Sequence, residues 1–285
     1  MTTRCSDVQP EPLPGTARTG ATFVLMEHHG PWSRDILDGG TLAHTECFRD
    51  IPGFTLIRKP GRAGRKPKRL RNVYLVFAAH NIVEHLEVPE AMVPNLDFSG
   101  PGRNAAHGAT TLDAPVLLTC THAKRDQCCA LKGRPIVADL QQRFPDGHIW
   151  ECSHAKGHRF APAMLLYPWG FSFGRLNNEA AAELYRYACN GLLFYPGNRG
   201  RTTLNAQEQV VELAVAEKLH QAGEAVAMDA LSTTGTRVRH ADGRQWEVSL
   251  ECIEVEGVIA SCGGAAKQGK AWVPAQVELL TTPEG

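Results

Sequence analysis

The chain lacks an excess of charge of either sign: 30 Lys and Arg stand against 30 Asp and Glu in 285 residues. Such a balance gives no overall field for holding nucleic acid or an anionic membrane, so neither is an expected partner. No apolar run approaches the length that spans a bilayer, and the opening MTTRCSDVQPEPLPGTARTG has no apolar core of a secretion signal. The expectation is a soluble, cytoplasmic protein. No C-x-x-C occurs among the nine cysteines, so the motif of thioredoxin-type dithiol exchange is missing. Their odd number and irregular spacing also argue against a disulfide framework and for thiols kept free, for metal or for packing. No pair of carboxylates can be singled out for glycosidic chemistry.

What the chain has in quantity is soft metal donors in one stretch. Between Cys120 and His158 lie four of the nine cysteines and four of the twelve histidines. They fall into two groups, Cys120, His122, Cys128 and Cys129, then Cys152, His154 and His158, with a helix-like segment between. Thiolate and imidazole together favour borderline and soft metals. By count alone, Cys120 with Cys128 or Cys129, followed by His154 and His158, satisfies either a tetrahedral structural zinc or a two-iron cluster with two histidines on one iron. A Rieske-like choice would use Cys120 with His122 and Cys152 with His154. Buried cysteines acting as small hydrophobes would need no metal at all. Nothing marks one cysteine as an activated nucleophile.

The run CTHAKRDQCCALKGRP, then WECSHAKGHRFAP, then LLYPWGFSFGRL, resembles the sucrase/ferredoxin-like family of thioredoxin-like ferredoxins. The likeness is strong over the central third and weaker at EHHGPWSRD near the start. It implies a [2Fe–2S] cluster held by Cys120, Cys129, His154 and His158, and hence an electron carrier with a redox partner protein rather than an enzyme. Two departures bear on it: Cys128 directly precedes Cys129, and Ala155 and Lys156 stand where a small, often glycine-rich pair is usual. With two neutral imidazoles in place of two thiolates, the cluster would take up an electron above the potential of plant-type ferredoxins, about −400 mV. Loss of an outer imidazole proton would couple that electron to a proton. A structural Cys2His2 zinc site serving interaction is the alternative reading.

Around this stretch the patterning predicts a mixed α/β chain. Residues 1–20 read as a flexible arm, 21–110 as an N-terminal α/β unit, 111–222 as the thioredoxin-like cluster unit and 223–285 as a β-rich extension. Residues 95–113, rich in Gly, Asn and Ser, read as the linker between the first two units. A helix is expected to begin near Pro135, a second after Asn177-Asn178, and a third at the capping-box-like Asn205-Ala-Gln-Glu208. Residues 58–71 carry eight Lys or Arg and no acid, either as a solvated loop or as a docking patch for an acidic redox partner. Leu25-Met26-Glu27-x-His29 faintly echoes Leu118-Thr119-Cys120-x-His122. If the echo is real, the first third is a degenerate thioredoxin-like unit with Glu27 in the cysteine's place; such short echoes also arise by chance.

Overall fold

The computed structural model describes residues 4–8 and 10–281. Ten strands form one sheet in the order β10-β9-β8-β6-β7-β2-β1-β3-β4-β5. Its strands are β1 (Thr22–Glu27), β2 (Thr55–Arg58), β3 (Arg71–Phe77), β4 (Ile82–Val88), β5 (Thr110–Thr111), β6 (Val116–Cys120), β7 (His148–Cys152), β8 (Met164–Tyr167), β9 (Phe171–Phe173) and β10 (Asn198–Arg201). The sheet is two copies of one pattern. β1 runs parallel to β2 and antiparallel to β3, which pairs with β4. In the same way β6 runs parallel to β7 and antiparallel to β8, which pairs with β9. Each copy has a thioredoxin-like strand order, and they join edge to edge where β2 meets β7.

The faint echo therefore falls at equivalent places. Glu27 closes β1 opposite Ile57, as Cys120 closes β6 opposite Cys152. The copies differ in what covers them. The second carries α1 (Gln127–Arg143) and α2 (Asn178–Cys189), whereas the first is covered by short 3-10 turns and loops. Residues 95–113, expected as a linker, contribute β5 to the sheet's edge and bury Asn104.

The sheet is curled, and its concave face holds a shared core. Phe23 of β1 and Tyr167 of β8 have ring centroids 5.4 Å apart although β6, β7 and β2 lie between their strands. Alternation along each strand explains the layering: Leu118 and Trp150 join Phe23, Leu25, Tyr74 and Val76 on the inner face, while Leu117 and Ile149 face the helices. Burial of each such side chain contributes about 1.5–3 kcal/mol.

Helix α1 starts earlier than the sequence suggests. Asp126 is extended (φ −157°, ψ 137°) and its Oδ1 accepts the Cys128 amide at 2.8 Å, so Asp126 is the N-cap and Pro135 lies inside the helix. Pro135 is tolerated because the carbonyl it leaves without an amide partner belongs to Leu131, whose side chain is half exposed. The other two helices start as expected: Asn177 caps α2, and Asn205 with Glu208 forms a capping box at α3 (Ala206–Gln221).

The N-terminal arm, expected to be flexible, lies against the cluster unit. Cys5 is fully buried, Glu11 pairs with Arg159, and the Gly15 and Gly20 amides donate to Arg199 and Thr202 carbonyls. The C-terminal region is a separate antiparallel sheet of β11 (Leu231–Thr234), β12 (Arg237–His240), β13 (Gln245–Val258) and β14 (Lys267–Thr281). Register breaks within the β13–β14 pair, at Ser249/Leu250 and again at Val255/Val258 among other places. The loop at its tip returns to the start of α1, where Ile259 and Cys262 pack on Cys5, Cys128 and Ala161.

Candidate metal centre

Parallel strands β6 and β7 end side by side, with Cys120 paired to Cys152 across the ladder. Beyond β7 the chain continues through Ser153 into the histidine loop, and beyond β6 it turns into the N-terminus of α1. Cys129, Cys152 and His154 crowd the Cys120 Sγ, which lies 3.9 Å from the Ser153 carbonyl, and hold its thiol well below the ordinary range. The neighbouring Cys120, and burial, push the Cys129 and Cys152 thiols up. Of these three buried sulfurs Cys120 is the one that most readily becomes the thiolate. The positive end of the helix dipole, at Cys129 on the first turn, favours it.

Of the four expected ligands, Cys120, Cys129 and His154 meet here. His158 stands beside them, its ring centroid 6.2 Å from that of His154. The Nδ1 atoms of both rings and the Nε2 of His158 are buried and make no hydrogen bond; the Ala260 carbonyl comes near His158 without bonding geometry. Burial lowers the His158 pKa, against the pull of the Asp126 carboxylate 3.9 Å away, and favours the neutral imidazole that a metal requires. Orphaned imidazole nitrogens next to buried thiols are what a soft metal or an iron–sulfur cluster would complete.

Cys128 is not interchangeable with Cys129. Successive helical residues point about 100° apart. Cys129 therefore faces Cys120, whereas Cys128 turns away towards Cys5 and Cys262. His122 does not join the group; its Nε2 is 2.7 Å from the Ser33 carbonyl and its ring meets Trp32 edge-on at 5.8 Å. Cys152 does join it, as a third sulfur, which the reading of the sequence admitted only in the Rieske-like choice. The ladder partnership with Cys120 was the missing signal.

Two further groups were not foreseen. Arg199 is 1% exposed beneath the histidine loop, donating from Nε to Thr16 Oγ1 at 3.0 Å and from Nη1 to the Lys156 carbonyl at 3.3 Å, and from Nη2 to the Thr16 carbonyl. Its guanidinium lies 4.7 Å from the Phe160 centroid, and burial, with Arg159 and Arg175 nearby, lowers its pKa to about 9. Gly157 makes this approach feasible: at φ +84° a Cβ would lie 2.5 Å from Arg199 Nη2. The second is Arg58, which donates to Glu151 at 2.7 Å across the β2–β7 seam and stacks 4.0 Å over Trp32.

Arg58 also bears on the basic segment. Of its eight cations, Arg58 is buried, Lys59 bonds to the Gly147 carbonyl over the Trp150 ring, Lys68 pairs with Glu27 and Arg71 with Glu90. Half of the segment thus serves the sheet and is not a free patch. A different cationic surface borders the site: a cleft lined by Arg18, Arg34, Arg125 and Lys156, with His154 in its wall and Asp35 as its one acid.

The chain is thus a curled α/β-sheet protein with a sulfur and imidazole group at the ends of two parallel strands. The chain belongs to the sucrase/ferredoxin-like family, whose model matches residues 13–200. That span ends in β10 and excludes both α3 and the four-stranded sheet. No curated protein and no solved structure matches the chain. No helix among the described residues is long and apolar enough to cross a membrane.

Proposed function

We propose that the protein is a one-electron carrier whose [2Fe–2S] cluster is held by Cys120, Cys129, His154 and His158. What supports this reading is the placement of Cys129 and His154 beside Cys120, with His158 adjacent and both its ring nitrogens without a hydrogen bond. The cluster, when bound, supplies a couple that takes and gives a single electron.

The chain's residues set the conditions around it. Strand ends and the first turn of α1 present the sulfurs from rigid elements, which keeps reorganisation on electron transfer small. Arg199, fixed under the Lys156 carbonyl, brings fixed positive charge close to the histidine loop and favours the reduced state. His154, partly exposed, stands in the wall of the cleft. Four cations around that cleft would steer an acidic redox partner. The cytoplasm and a role as carrier rather than catalyst belong to the same proposal.

Anaerobic purification followed by iron and acid-labile sulfide analysis tests it. The expected result is two of each per chain, lost in Cys129→Ala and retained in Cys128→Ala. Zinc in that site in place of iron and sulfide would establish the structural alternative instead.

A further inference from the structure

The second thiol group is built from three distant parts of the chain. Cys5 comes from the N-terminal arm, Asp126 and Cys128 from the start of α1, and Cys262 from the loop at the tip of the β13–β14 hairpin. Their four ligand atoms all lie within 4.8 Å of one another. The sulfurs are 3.2 Å (Cys128 to Cys262), 3.6 Å (Cys5 to Cys262) and 3.7 Å (Cys5 to Cys128) apart. The carboxylate completes the figure, with Oδ2 3.5 Å from Cys5 Sγ and Oδ1 3.2 Å from Cys262 Sγ. A tetrahedron with arms of about 2.3 Å, the zinc–sulfur bond length, has edges of about 3.8 Å. The group is already close to that size.

Core packing does not account for it. Packing would place methyl groups here, yet a carboxylate whose side chain is 1% exposed sits among three thiols, with no Lys or Arg paired with it among the described residues. Its nearest cationic candidate is His158 Nε2 at 3.9 Å. Two backbone amides fix the carboxylate: Cys128 donates to Oδ1 at 2.8 Å and Cys262 donates to Oδ2 at 2.9 Å. The Cys5 and Cys262 thiols donate to the same two oxygens. Ala161 and Ile259 close the group off with apolar surface. Cys5 and Cys262 also lie outside residues 13–200, so this group does not belong to the part of the chain that defines the family.

We infer that Cys5, Asp126, Cys128 and Cys262 bind one zinc ion, a closed S3O site that fastens the N-terminal arm and the β13–β14 loop to the N-terminus of α1. Four protein ligands and no open position make it structural rather than catalytic. Thiolates in tetrahedral array select zinc over magnesium or calcium. Binding replaces the three thiol protons, released to solvent, with three zinc–sulfur bonds, and no electron moves. The dipole of the 17-residue α1 supports the thiolates from its positive end. The site makes the tandem cysteines intelligible: Cys129 serves the centre beside Cys120 and Cys128 serves this one.

The test is zinc analysis and zinc-edge X-ray absorption on the full chain purified anaerobically with zinc in the medium. Expected are one zinc per chain and a shell of three sulfurs at about 2.3 Å and one oxygen at about 2.0 Å. Cys5→Ser and Cys262→Ser should each lose the zinc and keep iron, sulfide and the visible spectrum unchanged. Should those variants misfold, the wild-type absorption edge still decides. Absence of zinc, a shell containing imidazole nitrogen, or a Cys128–Cys262 disulfide in the anaerobic protein would each overturn the inference. Loss of iron together with zinc in Cys262→Ser would also overturn it, and would count against the proposed cluster ligands as well.

Discussion

Gly133 sets two opposing effects against each other at the heart of the site. It lies inside α1, where replacing Gly by Ala ordinarily stabilises a helix by about 0.8–1.0 kcal/mol. Here the added Cβ would lie 2.3 Å from the Cys120 carbonyl oxygen and 3.3 Å from Thr119 Cγ2. The first distance is about 1 Å inside ordinary contact. The obstacle is backbone of a central strand, which cannot swing aside as a flexible side chain would. The helix must lift from β6, at the upper end of the roughly 1–3 kcal/mol that overpacking costs. The net prediction for Gly133→Ala is a loss of about 1–2 kcal/mol, or roughly 2–8 °C in melting temperature for a chain of this size. Because α1 carries Cys129 and the obstacle is the Cys120 carbonyl, the same displacement parts the two sulfurs and lowers metal retention. Thermal denaturation with metal analysis of the purified variant reads both. A variant more stable than wild type by about 1 kcal/mol would refute the packing argument and leave propensity in control.

Arg58→Met strands the Glu151 carboxylate, 7% exposed, with the Thr121 hydroxyl as its remaining hydrogen-bond donor among the described residues. A loss of about 3–5 kcal/mol is expected in urea denaturation, with most of it recovered in Arg58→Met/Glu151→Met; additive losses would show that the pair is not coupled. Burial lowers the pKa values of His85 and His148, which flank the Tyr74 ring at 4.8 Å and 5.9 Å. Between those lowered values and about 6.5 the unfolded chain binds more protons than the folded one, so stability rises with pH across that window. His85→Gln/His148→Gln should flatten the rise, and an unchanged slope in pH-dependent denaturation would contradict it.

Most of the fold follows from local pattern. The strand and helix periods indicated most of the elements, because they depend on neighbours a few residues apart, whereas the choice of Cys120, Cys129, His154 and His158 came from the family resemblance. The start of α1 was misjudged since Pro135 is a conspicuous signal and Asp126 a quiet one; the helix starts at the Asp126 cap and runs on through Pro135. The basic segment was legible as charge but not as structure. Arg58 and Lys68 find Glu151 and Glu27 only after the sheet assembles. Arg199, Cys5 and Cys262 carry no local mark at all. Their partners are more than a hundred residues away except at the histidine loop, and only the folded topology brings Thr16 to Arg199 or Cys262 to Asp126. The Glu27 echo was short in sequence yet falls at matching strand ends, because side-chain chemistry can diverge while pairing geometry is retained.

Pulsed electron paramagnetic resonance of the reduced protein tests the central claim most directly. Ligation by Cys120, Cys129, His154 and His158 predicts two inequivalent nitrogen couplings to the cluster spin, one vanishing in His154→Cys and the other in His158→Cys, each with a lower reduction potential. A reduced cluster without imidazole nitrogen coupling, or no paramagnetic signal in iron-replete reduced protein, would contradict it.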